Sequence, residues 1–85
     1  MEREYVKFVA ELAQRYYNKA QEKKLFCTAS LDEVRTAYVA LAEARRQGVD
    51  DYETVYTILR SAIVKDPECL RPFEEAWREM IAGEE

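Results

Sequence analysis

The chain has 85 residues, of which 48% are apolar and 35% are charged, and its net charge is −4. This length and apolar content favour one small folded domain and argue against a disordered chain. The acidic balance argues against a general nucleic-acid binder, because phosphates repel a negative protein at long range. The sequence also lacks histidine, which removes the commonest general base and metal ligand.

No stretch approaches 18 consecutive apolar residues, and the first residues, MEREYVKF, are charged rather than signal-like. Two cysteines are too few for the disulfide framework of a small secreted protein. We therefore expect a cytoplasmic protein that makes no membrane contact. The many glutamates and arginines and the single asparagine are typical of thermophilic proteins.

Residues 3–24 contain no glycine or proline and repeat apolar residues at helical spacing, which predicts a first helix. Its predicted core stripe consists of Tyr5, Phe8, Val9, Leu12, Tyr16 and Ala20. A second apolar set consists of Val6, Ala10, Ala13 and Tyr17. This second set widens the apolar arc beyond what one contact face requires.

A second helix is predicted over residues 31–47. Ser30 and Glu33 have the spacing of a capping box, which marks a helix N-terminus. Gly48 fits the left-handed position that ends a helix, with Val49 making the accompanying apolar contact. The predicted inner face consists of Leu31, Val34, Tyr38, Leu41 and Ala42, with Ala37 at its edge.

Two further helices are predicted over residues 51–65 and 72–82. Asp50 has the position of the N-cap of the first of these, and the apolar face predicted for it consists of Tyr52, Val55, Tyr56, Leu59, Ala62 and Ile63. Pro72 lacks the N–H group that a helix interior needs, so we expect the fourth helix to begin there. Its predicted apolar stripe consists of Leu70, Phe73, Trp77, Met80 and Ile81.

Four helices with short connections predict an all-α fold, a small up-and-down antiparallel four-helix bundle. This topology places the connection between helices 1 and 2 at the same pole as that between helices 3 and 4. Cys27 and Cys69 then share a pole and are candidates for a disulfide. The alternative is two reduced, buried thiols, since cytosolic cysteines are normally reduced.

The same pole carries four cations, Lys23, Lys24, Lys65 and Arg71, which form a candidate anion-binding pole. The alternative is that these cations only compensate helix dipoles. Two cysteines without histidine are too few ligands for zinc and lack a catalytic base. No glycine-rich phosphate loop occurs. We therefore expect no enzyme activity, no cofactor and no metal.

Five apolar residues fall outside the arcs that the core requires and form a candidate protein interface: Val6, Ala10, Tyr17, Val39 and Ile58. The alternative is ordinary scattered surface apolar residues. The interface reading predicts a non-catalytic protein–protein interaction or adaptor module that binds another protein or forms a homodimer.

A second functional hypothesis is a small helical nucleic-acid-binding subunit of a ribonucleoprotein complex, of the kind found in CRISPR effectors. Helices 2 and 3 superficially resemble a helix-turn-helix. Asp50, Asp51 and Glu53 would, however, meet phosphate at the start of the recognition helix with the wrong sign of charge.

The segments 51–60, 62–68 and 72–77 resemble the helical N-terminal region of CoxE-like proteins that contain a von Willebrand factor A domain. There a helix with the pattern D-x-E-x-V-x-x-x-L-R precedes a helix with the pattern F-x-x-x-F. The resemblance implies an adaptor-like helical module of proteins that work with MoxR-type AAA+ ATPases. The family's D-x-S-x-S metal motif does not occur in this chain, so no functional residue carries over.

Overall fold

The computed structural model describes residues 2–83, and the side chains of residues 6–82. It contains four α-helices: α1 (Glu2–Glu22), α2 (Leu31–Arg46), α3 (Tyr52–Ile63) and α4 (Leu70–Gly83), with a 3-10 turn at Pro67–Cys69 before α4. No strand occurs between residues 2 and 83. The prediction of a small all-α helical bundle is confirmed. The side chain of Tyr5, assigned to the core stripe from sequence, lies outside the described side chains.

The helices enclose one core. α1 packs against α4 and α2, α2 packs against α3, and α3 touches α4 more lightly. The fully buried centre is formed by Val9, Leu12, Tyr16, Ala20, Ala37, Leu41, Leu59, Ile63, Phe73 and Ala76. Because every helix contributes to this list, the hydrophobic effect that stabilises one helix depends on the other three.

Aromatic rings join α1, α3 and α4 inside this core. The ring of Phe73 packs edge-on against that of Tyr16, with their centroids 6.0 Å apart. Trp77 meets Phe8 at 5.9 Å and Tyr56 at 5.5 Å, again with the rings steeply inclined. Such edge-to-face pairs contribute roughly 0.5–1.5 kcal/mol each beyond the burial of their area.

The two ends of α2 have the predicted caps. The hydroxyl of Ser30 accepts from the backbone N–H of Glu33 at 3.1 Å, and the carboxylate of Glu33 accepts from the N–H of Ser30 at 2.9 Å. At the other end Gly48 has a φ of 75°, and the N–H of Val49 donates to the carbonyl of Ala44 at 3.0 Å. These bonds make the predicted capping box and the predicted glycine C-cap.

The C-terminus of α1 differs from the prediction, because the helix ends at Glu22 rather than Lys24. Lys24 adopts a φ of 59°, and the N–H of Leu25 donates to the carbonyl of Ala20 at 2.9 Å. This geometry is the same C-terminal motif that Gly48 makes after α2. No residue type in the sequence signals this motif, because a lysine occupies the position where glycine normally marks it.

The starts of α3 and α4 also differ from the prediction. The N-cap of α3 is Asp51, not Asp50, and its carboxylate accepts from the hydroxyl of Thr54 at 2.7 Å. α4 begins at Leu70, two residues before Pro72. Pro72 is therefore the third residue of the helix, where its missing N–H would have no intrahelical acceptor in any case.

Two residues predicted to face the core point outward instead. Leu31 is 75% exposed and Tyr52 is 62% exposed. Each is the first residue of its helix, α2 and α3 respectively. A helical wheel gives the direction of a side chain around the axis but not its height along it, and at a helix start the neighbouring helices give little cover. The edge residue Ala37, by contrast, is fully buried.

Candidate functional site

An apolar stripe runs along the outer side of α1. It consists of Val6, Ala10, Ala13 and Tyr17, which we call the α1 stripe. The spacing i, i+4, i+7, i+11 places the four side chains on one side of the helix. Val6 is 48% and Tyr17 is 40% exposed, Ala10 is exposed and Ala13 is half-buried. Three turns of α1 therefore present apolar side chains to solvent without an intervening charge.

The α1 stripe is distinct from the face by which α1 joins the bundle. Its centre lies about 85° around the helix from the centre of the buried set that includes Val9 and Leu12. The neighbouring helix α2 exposes one further apolar residue of the predicted interface, Val39. Four of the five predicted interface residues, Val6, Ala10, Tyr17 and Val39, are thus exposed in the fold.

Ile58, the fifth predicted interface residue, has a different environment. Its side chain is half-buried and packs against the core. α3 touches both α2 and α4, so the arc that α3 buries is broader than the stripe formed by Val55, Leu59 and Ile63. The sequence could not show this second contact, and we leave Ile58 out of the interface.

The side of α1 that faces α4 is charged and internally paired. The carboxylate of Glu79 in α4 forms ion pairs with two cations of α1. Its oxygen atoms lie 2.5 Å from Lys19 Nζ and 2.9 Å from Arg15 Nη1. Hydrogen bonds from Lys19 and then from Arg15 lower the pKa of the Glu79 carboxyl below its ordinary value. Because both cations are paired with Glu79, this side of α1 contributes to the joint between two helices.

The predicted pole holds a disulfide. The sulfur atoms of Cys27 and Cys69 are bonded, their Cα atoms are 6.0 Å apart, and both residues are buried. No free thiol occurs among residues 2–83. Nearby, burial raises the pKa of Tyr16 to about 12, with smaller contributions from Glu33 and Asp66. Its phenol therefore remains protonated near neutral pH and cannot act as a base.

Phe26 is an exposed apolar residue that the sequence did not predict as part of any surface. It is 85% exposed, and it lines a shallow hollow together with Tyr16, Ile63 and the disulfide. It lies in the connection between α1 and α2, where no helical period exists to assign a side chain to a face. The exposed Leu31 begins α2 five residues later. The connection between α1 and α2 and the start of α2 thus expose two further large apolar side chains.

The candidate anion-binding pole is partly neutralised by carboxylates. Lys23 Nζ lies 3.0 Å from Glu75, and Lys65 Nζ lies 3.9 Å from Glu33. The other two predicted cations, Lys24 and Arg71, are exposed. Half of the proposed anion-binding charge is therefore paired with carboxylates within the fold.

Neither a metal site nor a membrane helix is found among the described residues. Between residues 2 and 83, no group of three cysteine, aspartate or glutamate side chains is arranged to hold a metal ion. Over the same residues, no helix combines the length and the apolar character needed to cross a bilayer.

The chain matches no protein-family model, no curated protein and no solved structure. The resemblance to CoxE-like proteins therefore stays a prediction.

Proposed function

We propose that this chain is a non-catalytic helical interaction module that binds a protein through the α1 stripe. The observation that carries the proposal is the uncharged apolar row from Val6 to Tyr17, which stays exposed after the four helices have packed. This row is about 17 Å long, at 1.5 Å per residue. Covering an apolar surface of this form with a partner lowers the free energy of the complex, because apolar side chains are removed from water.

The chemistry of the α1 stripe suits a helical partner. Ala10 and Ala13 at its middle have small side chains, which let another backbone approach closely. Tyr17 at its end combines a large apolar ring with a hydroxyl, and tyrosine is enriched at protein interfaces. The stripe thus combines a flat centre with an aromatic anchor at one end.

A photo-reactive side chain placed in the stripe tests this function. We expect p-benzoylphenylalanine at Ala10 to form covalent adducts with a polypeptide in the cells that make the protein. The same residue at Thr57, exposed on α3, is the matched control and should give at least tenfold less adduct.

Competition then shows whether the adducts report specific binding. An excess of the purified domain should suppress them, and an excess of the Ala10→Glu domain should not. Equal adduct formation from positions 10 and 57, or equal suppression by both competitors, would contradict the proposal.

We further propose that the domain works in the cytoplasm of a thermophilic organism. Disulfides are rare in the cytosol of mesophiles but frequent in intracellular proteins of hyperthermophiles. The Cys27–Cys69 bond and the glutamate- and arginine-rich composition both fit the second case. Alkylation of thiols during rapid lysis should leave both cysteines unmodified in the cytoplasmic fraction, whereas two alkylated cysteines would contradict the proposal.

A further inference from the structure

We infer that the partner of the α1 stripe is a second copy of this chain, packed antiparallel about a two-fold axis that passes between Ala10 and Ala13. The inference rests on the proposed docking function of the stripe and names its partner. The resulting interface would be isologous, with the same surface used by both copies.

The order of side-chain sizes along the stripe is self-complementary in this arrangement. About such an axis, residues face each other when their numbers add up to 23. Val6 then faces Tyr17 of the second copy, and Ala10 faces Ala13 of the second copy. Small residues meet small residues at the centre, so the helix axes can approach to about 8 Å, at the short end of the usual range. At each end of the seam, a valine of one copy packs against a tyrosine of the other.

A parallel pairing of the same stripes fits less well. It would place Tyr17 against Tyr17 at one end and Val6 against Val6 at the other, so the two helices would have to splay apart at the tyrosines. It would also align the two helix dipoles, which an antiparallel pair opposes favourably. The sizes of the side chains and the dipoles of the two helices therefore both favour the antiparallel orientation.

The side chains beside the stripe are compatible with the antiparallel orientation. Lys7 is exposed on the flank of the stripe. In the antiparallel pair, Lys7 lies between the levels of Gln14 and Asn18 of the second copy. These two side chains are uncharged, exposed and hydrogen-bonded to each other at 3.2 Å. The antiparallel seam therefore places uncharged side chains opposite Lys7.

The extent of the stripe sets the expected strength of the dimer. A row of four side chains about 17 Å long covers less area than the roughly 800 Å² per partner of a stable interface. We therefore expect a concentration-dependent dimer with a dissociation constant of about 10 μM to 1 mM. Light scattering behind size exclusion should show a mass that rises with loading concentration.

Spin labels on single introduced cysteines test the orientation. Because Cys27 and Cys69 are bonded to each other, a maleimide label reacts with the introduced thiol alone. In the antiparallel dimer, Gln21→Cys should place its two labelled positions about 28 Å apart along the helix, and Gln14→Cys about 8 Å apart. In a parallel dimer, both pairs would be close.

Ala10→Glu and Thr57→Glu form the matched variant pair for this experiment. Each adds one negative charge at an exposed helical position, and a circular-dichroism melt of each variant checks its fold. Ala10→Glu should weaken the dimer at least tenfold, because it places a carboxylate in the uncharged centre of the seam. Thr57→Glu should leave the Gln21 label distance and the dissociation constant unchanged.

Each outcome decides between the two proposals. A long distance at position 21 with a short one at position 14 supports the inference, and short distances at both positions overturn the antiparallel orientation. A strict monomer at millimolar concentration, together with specific adducts from position 10 to a different polypeptide, overturns the second copy as partner but leaves the docking function standing. A strict monomer without adducts overturns both.

Discussion

Cys27 and Cys69 are 42 residues apart in the sequence, and their disulfide ties the connection between α1 and α2 to the turn that leads into α4. The bond therefore joins the two connections at one pole. α3 and α4 touch only lightly, and the turn that carries Cys69 lies between these two helices. The main effect of the covalent link is on the unfolded chain, whose freedom it limits.

We expect the Cys27→Ala, Cys69→Ala double variant to lose about 4 kcal/mol of unfolding free energy, the chain-entropy value for a loop of this length. Urea unfolding followed by circular dichroism measures the loss. A reductant should destabilise the original protein by a similar amount and leave the double variant unchanged. If reductant lowers the stability of both proteins equally, the disulfide is not the cause.

The two leucines of α2 at positions 31 and 41 should respond very differently to truncation. Leu41 is fully buried, so Leu41→Ala should cost about 2–5 kcal/mol of unfolding free energy through lost burial and the remaining cavity. Leu31 is largely exposed, so Leu31→Ala should change stability by less than about 0.5 kcal/mol. Chemical denaturation measures the free energy of unfolding of both variants. Equal losses of this free energy would mean that Leu31 is buried in solution.

Lys24→Gly should stabilise the protein by about 0.5–1 kcal/mol. Lys24 holds a left-handed backbone conformation that is strained for a residue with a Cβ atom and relaxed for glycine. Lys7→Gly, at an exposed position inside α1, is the control and should instead destabilise by about 1 kcal/mol. Thermal melts of both variants measure whether each substitution raises or lowers the stability of the protein. Destabilisation by Lys24→Gly would show that α1 does not end as described.

Glu79 should contribute to stability only while it is ionised. Its pKa is lower in the folded protein than in the unfolded chain, because Lys19 and Arg15 donate hydrogen bonds to its carboxylate. Its contribution is therefore complete above the unfolded-state pKa and is lost as the pH falls through the folded-state pKa. Carboxyl-detected NMR titration should show the low pKa in the original protein and a rise toward the ordinary value in Lys19→Met. An unchanged pKa in Lys19→Met would contradict the assigned cause.

The sequence was sufficient for the fold class and for the caps of α2, whereas the predicted ends of α1, α3 and α4 differ from those of the structure by one or two residues. Apolar residues at helical spacing predicted four helices, and the capping residues Ser30, Glu33 and Gly48 made the bonds that their types suggest. These features are local, because each depends on residues within about one helical turn. Where a local signal was missing, as at Lys24, the predicted end was wrong.

Packing between the helices determines which apolar residues remain on the surface. The sequence placed Leu31 and Tyr52 in the core and Ile58 outside it, but in the fold Leu31 and Tyr52 are exposed and Ile58 is half-buried against the core. Burial depends on the height of a residue along its helix and on the number of neighbouring helices, and periodicity contains neither. Val6, Ala10 and Tyr17 are exposed as predicted, because their direction around α1 lies well outside both of its packing faces. The sequence therefore determined the apolar stripe, and packing determined that it stays uncovered.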